Sequence, residues 1–143
     1  MFEYILFDLD GTLVDSMPTY VSAMLRILDE NSIDKFDYVL ADVPCSGLGV
    51  LAKKTDLKYK MTPETEKEVA DLQRQILKTV HRYVKPGGTL IYSTCTICRA
   101  ENEENVKWFV ENYPEFELKW EKQILPGRET DGFYIAKFSR RSS

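Results

Sequence analysis

Strand-like and helix-like segments alternate along this chain, and this order constrains its fold more than any other feature. The runs FEYILF (residues 2–7), FDYVLAD (36–42) and TLIYST (89–94) are rich in aromatic and β-branched residues, as buried strands are. In the two connections between them, apolar residues recur at every third or fourth position, which predicts amphipathic helices. The pattern therefore predicts an α/β fold built on parallel strands.

The remaining segments complete a five-stranded sheet. Helices are expected over about 16–31, 62–84 and 101–112, and two further strands at about 116–121 and 132–138. We expect an open sheet in the order 1-2-3-5-4, with three parallel strands and an antiparallel edge pair. The length of 143 residues suits one domain, so the sequence predicts a single α/β domain spanning 1–143.

One face of this sheet is expected to stay uncovered. Crossovers between parallel strands are almost always right-handed, so the helices fall mainly on one face when the strands advance in one direction. Side chains in a strand alternate between the two faces, so the other face exposes one of two sets from each strand. The sets are Ile5 and Phe7, or Phe2, Tyr4 and Leu6, in the first strand; Val39, or Tyr38 and Leu40, in the second; and Ile91, or Leu90 and Tyr92, in the third. Such an apolar face predicts a homodimer, formed through the face itself or by exchange of the N-terminal strand and helix.

Two carboxylates follow the first strand. Asp8 and Asp10 stand in DLDGTLVDS (residues 8–16), and a carboxylate pair in a tight turn suits Mg²⁺ binding and attack on phosphorus. Residues 1–34 resemble the N-terminus of a haloacid-dehalogenase-like phosphatase. The resemblance implies Asp8 as the nucleophile and Asp10 as the general acid and base. The later residues that such an enzyme needs are not found after residue 34, so we expect no phosphatase activity and no metal site.

A different set of motifs occupies the rest of the chain. These are DVPCSGLGV (42–50), KPGGTLIYSTCT (85–96), ENEENV (101–106) and LPGRETDGFYIAKF (125–138). In order and spacing, residues 35–141 resemble the C-terminal half of the catalytic domain of RNA cytosine-5 methyltransferases, a methyltransferase-like Rossmann half.

This second resemblance implies a catalytic role for three residues. Cys95 would add to C6 of the target cytosine, Cys45 would assist the later elimination, and Asp42 would contact the base. A thiolate is the side chain best suited to attack a pyrimidine ring, which agrees with the residue types.

The two resemblances together predict a chimera with a splice near residues 32–37. In the methyltransferase family, S-adenosylmethionine binds at an earlier strand that ends in a Gly-rich loop, and here the phosphatase-like unit stands in that place. We therefore expect an artificial or recombined protein that folds but lacks complete catalytic activity, and that takes no cofactor. The alternative is a fragment of an S-adenosylmethionine-dependent RNA cytosine-5 methyltransferase with Cys95 as nucleophile; a Mg-dependent phosphatase is a remote third possibility.

Charge and composition exclude some partners. Nineteen Lys and Arg residues stand against 23 Asp and Glu, a net charge of -4, so we expect no strong nucleic-acid binding. No apolar run approaches 18 residues and no targeting signal is evident, which predicts a soluble, cytoplasmic protein without membrane contact. Cys95 and Cys98 form a C-x-x-C pattern, but with no second pair we expect no zinc.

Overall fold

A five-stranded sheet with two helices forms the described part of the protein. The computed structural model describes residues 3–8, 35–46 and 62–142, with only the backbone of residues 7 and 8, and also four helical positions at 23, 26, 27 and 30. The elements are β1 (Tyr4–Asp8), β2 (Phe36–Asp42), α1 (Pro63–Val80), a 3₁₀ turn (His81–Tyr83), β3 (Val84–Thr94), α2 (Glu103–Asn112), β4 (Phe116–Ile124) and β5 (Phe133–Arg140).

The predicted sheet order is confirmed. The strands lie in the order β1-β2-β3-β5-β4, with β1, β2 and β3 parallel and β5 antiparallel to both of its neighbours. β3 begins five residues earlier than TLIYST predicts, because the KPGG segment continues the strand. Gly88 is required there, since a Cβ atom would lie only 2.9 Å from the carbonyl oxygen of Asp37 on β2.

The local sequence explains where α1 begins. The hydroxyl of Thr62 accepts a hydrogen bond from the backbone N–H of Thr65 at 3.2 Å, and Pro63 occupies the first helical position. Two acidic residues in the first turn favour the positive end of the helix dipole. The side chains that α1 buries are Val69, Ala70, Leu72, Gln73, Ile76, Leu77 and Val80.

The core lies between these helices and one face of the sheet. Val39, Leu90 and Phe138 pair across β2, β3 and β5 and are at most 1% exposed. Phe109 of α2 packs on Phe138 with ring centroids 4.9 Å apart. Burial of these apolar side chains is the main stabilising contribution, and the prediction that helices gather on one face is confirmed for the described elements.

The opposite face of the sheet carries exposed apolar side chains. Tyr4 is 77% exposed, Leu6 53% and Tyr38 43%, and Trp120 at the far edge is 46% exposed. Of the alternating sets, the one containing Tyr4, Leu6 and Tyr38 therefore faces away from the core. The homodimer stays a prediction, and sedimentation that shows only a monomer at high protein concentration would contradict it. Within the described ranges, neither helix combines the length and apolar character that a membrane span requires.

His81 makes stability depend on pH. Its ring lies 4.2 Å from the ring of Tyr113, and burial lowers the pKa of this imidazole below its ordinary value of 6.5. Both folded and unfolded chains hold a neutral ring above that value, so the stability is fully present there. As the pH falls, the unfolded chain takes up the proton first. The free energy of unfolding therefore decreases until the pH is below the pKa of His81 in the folded state. Between about pH 7.5 and 5.5, we expect urea unfolding to show a smaller decrease in the free energy of unfolding for His81→Gln than for the wild type.

Candidate active site

The carboxyl ends of β2 and β3 bring two loops together. Asp42 ends β2 and pairs with Ser93 of β3, and the backbone N–H of Val43 donates to the Ser93 carbonyl at 3.1 Å. The chain continues to Cys45 after β2 and to Cys95 directly after β3. Because parallel neighbours end at the same edge, residues 50 positions apart in sequence become neighbours.

The sulfur atoms of Cys45 and Cys95 are in contact. Their Sγ atoms lie 2.7 Å apart, with one thiol donating to the other, and the backbone N–H of Cys95 donates to Sγ of Cys45 at 3.3 Å. Both side chains are half-buried, so a substrate atom can approach from the solvent side. Two thiols in this position can provide a nucleophile and a neighbouring proton carrier.

Asp42 adds a carboxylate to the same edge. Its Oδ1 atom accepts a hydrogen bond from the hydroxyl of Ser93 at 3.0 Å, and the side chain is half-buried. The hydrogen bond fixes the carboxylate, which can still accept from a second donor such as the amino group of a base.

The two predicted phosphatase residues are described only in part. The backbone of Asp8 pairs with Asp42 at the end of β1, but its side chain and all of Asp10 lie outside the described residues. Their roles stay predictions. In the ranges that are described, no three His, Cys, Asp or Glu side chains come close enough together to hold a metal ion.

Several buried polar residues behind the thiols were not assigned a role from the sequence. Gln73, Glu101, Asn102 and Asn105 are all 0% exposed, although polar side chains are rarely buried completely. Gln73 lies on the apolar face of α1, and a polar residue in such a stripe is the signal that could have indicated a buried network. Three of them form hydrogen bonds with the cysteine loops: Gln73 with Pro44, Glu101 with Ser46 and Asn102 with Thr96. Asn105 binds Gln73.

The hydroxyl of Tyr92 belongs to the same network of buried hydrogen bonds. It donates to the backbone carbonyl of Glu101 at 2.6 Å, and burial raises the pKa of the phenol well above its ordinary value. The hydroxyl therefore stays protonated and remains a donor. The amide of Asn105 donates to Oε1 of Gln73 at 2.9 Å, which joins α2 to α1 in the same network.

Cys98 differs from the other two cysteines. It is 8% exposed, and its thiol donates to Oε1 of Glu66 at 2.5 Å. Burial, reinforced by the hydrogen bond to Glu66, raises the pKa of the Cys98 thiol to about 12.

We expect Cys98 to be the slowest of the three thiols to react with iodoacetamide. At pH 8 it is almost entirely protonated, and the thiolate is the reactive form. Mass spectrometry of the alkylated peptides over time would check this order. Modification of Cys98 as fast as that of Cys45 or Cys95 would contradict it.

Comparison with known proteins gives a consistent family assignment. The family model described as 16S rRNA methyltransferase RsmB/F matches residues 16–139. The chain is 40% identical over 126 residues to the probable ribosomal RNA small subunit methyltransferase B of Bacillus subtilis (strain 168), covering 76% of this chain and 28% of that protein. It is 33% identical over 128 residues to the ribosomal RNA small subunit methyltransferase F of Cronobacter sakazakii, covering 77% and 27%.

Solved structures show the same fold. A methyltransferase homolog protein from Pyrococcus horikoshii has a TM-score of 0.67 with 26% identity, covering 96% of this chain and 52% of that chain. NSun6 from Pyrococcus horikoshii, solved with SFG, has a TM-score of 0.69 with 24% identity, covering 98% of this chain and 41% of that chain. The latter likeness shows the fold alone.

These findings contradict one prediction and favour one of the functions that the sequence left open. The prediction that the chain takes no cofactor is wrong, because the family is one of methyltransferases, whose reaction needs a methyl donor. The inference failed because it used the absence of one Gly-rich loop pattern as evidence against any donor. The comparisons also support the alternative function, a methyltransferase, better than an artificial chimera without activity. The phosphatase-like origin of residues 1–34 stays a prediction.

The match covers most of this chain but a small part of its relatives. The chain spans 28% and 27% of the length of the two curated methyltransferases named above. The matched region contains both cysteine loops and all of the described helices. The chain therefore belongs to the 16S rRNA methyltransferase RsmB/F family.

Proposed function

We propose that this chain carries the base-attacking site of an RNA cytosine-5 methyltransferase, with Cys95 as the nucleophile. The observation that supports this most strongly is the contact between Cys45 and Cys95, whose Sγ atoms lie 2.7 Å apart at the carboxyl edge of the sheet. Ligands of open α/β sheets bind at this edge. The family to which the chain belongs supplies the reaction class, methyl transfer to ribosomal RNA.

The thiolate of Cys95 begins the proposed reaction. Its sulfur forms a bond to C6 of the cytosine, and the electron pair of the C5–C6 double bond makes C5 nucleophilic. Asp42 would hold the base by accepting a hydrogen bond from its amino group, since its carboxylate is already fixed by Ser93.

Cys45 acts at the end of the same reaction. After C5 has gained a methyl group, its proton must leave and the bond between C6 and the Cys95 sulfur must break. The contact places the Cys45 sulfur beside that bond, where its thiolate can take the C5 proton while the electron pair re-forms the C5–C6 double bond and the Cys95 thiolate leaves. The two cysteines therefore have different roles, which separate variants can distinguish.

S-adenosylmethionine is the methyl donor that the family implies. When bound, it supplies an electrophilic methyl group. The residues at the carboxyl edge fit its reactive end by their chemistry, because the thiol of Cys95 makes the acceptor carbon nucleophilic and Asp42 orients the base.

A methyl-transfer assay tests the proposal. We expect labelled methyl groups of S-adenosylmethionine to enter a 16S rRNA fragment at C5 of cytosine, as identified after nuclease digestion. Incorporation should require Cys95 and should not require Cys98, whose thiol is buried against Glu66. Equal incorporation by wild type and Cys95→Ala would contradict the proposal, as would no incorporation at saturating donor and RNA.

A further inference from the structure

The turn before α2 ends with two completely buried polar residues. Glu101 and Asn102 are 0% exposed and lie where the chain enters the helix. A buried carboxylate is unfavourable unless hydrogen bonds replace the lost water. The partners of these two side chains therefore indicate what the turn does.

Glu101 holds the loop that carries Cys45. Its Oε1 atom accepts from the backbone N–H of Ser46 at 2.8 Å and from Nε2 of Gln73 at 3.0 Å, and its Oε2 atom accepts from the hydroxyl of Ser46 at 2.6 Å. Gln73 also donates to the carbonyl of Pro44 at 2.8 Å. Both residues that flank Cys45 are thus fixed, directly or through Gln73, by one carboxylate.

Asn102 holds the loop that carries Cys95. Its Oδ1 atom accepts from the hydroxyl of Thr94 at 2.7 Å, and its Nδ2 atom donates to the carbonyl of Thr96 at 2.9 Å. Both residues that flank Cys95 are therefore fixed by one amide.

The two loops are also joined to each other. The hydroxyl oxygens of Ser46 and Thr96 lie 2.7 Å apart, and since the Ser46 hydroxyl donates to Glu101, its oxygen accepts from Thr96. One short turn consequently determines the positions of both cysteine loops. A shift of about 1 Å in reacting groups is enough to slow catalysis strongly.

We propose that Glu101 and Asn102 are positioning residues that set the separation of the Cys45 and Cys95 sulfur atoms. The inference rests on the proposed function for the reaction that the thiols perform. The separation itself is a property of the free protein, and it can be measured without RNA or methyl donor.

Disulfide formation by the oxidant diamide reports this separation. The two sulfur atoms lie 2.7 Å apart in the wild type, and we expect Cys45 and Cys95 to join rapidly, as peptide mapping by mass spectrometry would show. Glu101→Ala and Asn102→Ala should each slow the joining by about tenfold, because the effective concentration of one thiol at the other falls. Alkylation by iodoacetamide would show whether each thiol is still accessible.

Two matched controls accompany these variants. Glu101→Gln keeps an acceptor for Ser46 N–H and Gln73, and its amide can donate to the Ser46 hydroxyl if that hydroxyl turns toward Thr96. We expect its oxidation rate to stay within about threefold of the wild type. Glu104→Ala removes an exposed carboxylate in the next turn and should leave the rate unchanged.

A milder variant keeps the test decisive if Glu101→Ala does not fold. Ser46→Ala removes the hydroxyl that joins Glu101 to Thr96, while two donors to the carboxylate remain. We expect about threefold slower joining of the two thiols. A rate equal to or above that of the wild type in folded Ser46→Ala, or in folded Glu101→Ala, would overturn the inference.

The methyl-transfer assay separates this inference from the proposed function. In an active protein, Glu101→Ala should lower kcat and leave KM for RNA unchanged, with recovery in Glu101→Gln. If the wild type transfers no methyl group but the oxidation rates follow the expected order, the proposed function fails and the positioning role stands. If methyl transfer occurs and the oxidation rates do not change, the positioning role fails alone.

Discussion

Cys45→Ala is expected to leave RNA covalently attached to the protein, whereas Cys95→Ala is expected to leave none attached. The reason is the order of the proposed steps: Cys95 forms the bond to C6, and Cys45 assists its cleavage. Without Cys45 the attached state accumulates, and without Cys95 it never forms. Methyl transfer should fall by about a thousandfold or more in Cys95→Ala, as expected when a nucleophile is removed.

Denaturing electrophoresis with labelled RNA would show the attached complex as a band of low mobility. Cys98→Ala serves as the control, because its thiol is buried and donates to Glu66. That variant should behave like the wild type. Attached RNA in Cys95→Ala, or no difference between Cys45→Ala and the wild type, would contradict the assignment of roles.

The second large effect concerns stability. Phe109→Ala is expected to lower the free energy of unfolding by about 3 to 5 kcal/mol, because the ring is completely buried and its removal leaves a cavity. The ring packs against Phe138 and Phe116, with centroids 4.9 and 5.1 Å away, so it connects α2 to both strands of the antiparallel pair.

Urea unfolding of the two proteins would measure this change. Trp120→Ala is the matched control, because this large aromatic residue is 46% exposed on the opposite face, and we expect a loss of less than about 1 kcal/mol. A loss below about 1 kcal/mol in Phe109→Ala would contradict the account of the core.

The order of the sheet could be predicted because it depends on local patterns. Strand-like runs such as FDYVLAD and helix-like periodicity alternate, and the handedness of crossovers then leaves few arrangements. The sequence pattern predicts a shorter β3, because KPGG is typical of a turn. In the structure this segment lies within β3 as an irregularity: Val84 pairs with Phe36 and Thr89 with Tyr38, and Gly87 has a φ of 81°.

The candidate site could be predicted only in part. Cys45 follows the second strand-like run and Cys95 follows the third, and parallel strands end at the same edge, so the sequence pattern is enough to bring the two cysteines together. The contacts of Glu101 could not be predicted, because Ser46 and Gln73 are 55 and 28 residues away in sequence and meet it only through the packing of α1 on the sheet. No local sequence pattern indicates a contact between residues so far apart in the chain.

An RNA hairpin containing 5-azacytidine would show whether Cys95 attacks C6 of a cytosine. Nitrogen replaces C5 in this base, so after this position has gained a methyl group from S-adenosylmethionine it has no proton to lose, and the bond between the Cys95 sulfur and C6 stays in place. We expect mass spectrometry to find the base attached to Cys95, with no such product in Cys95→Ala. Attachment at Cys45 or Cys98, or no attachment at all in the wild type, would contradict this expectation.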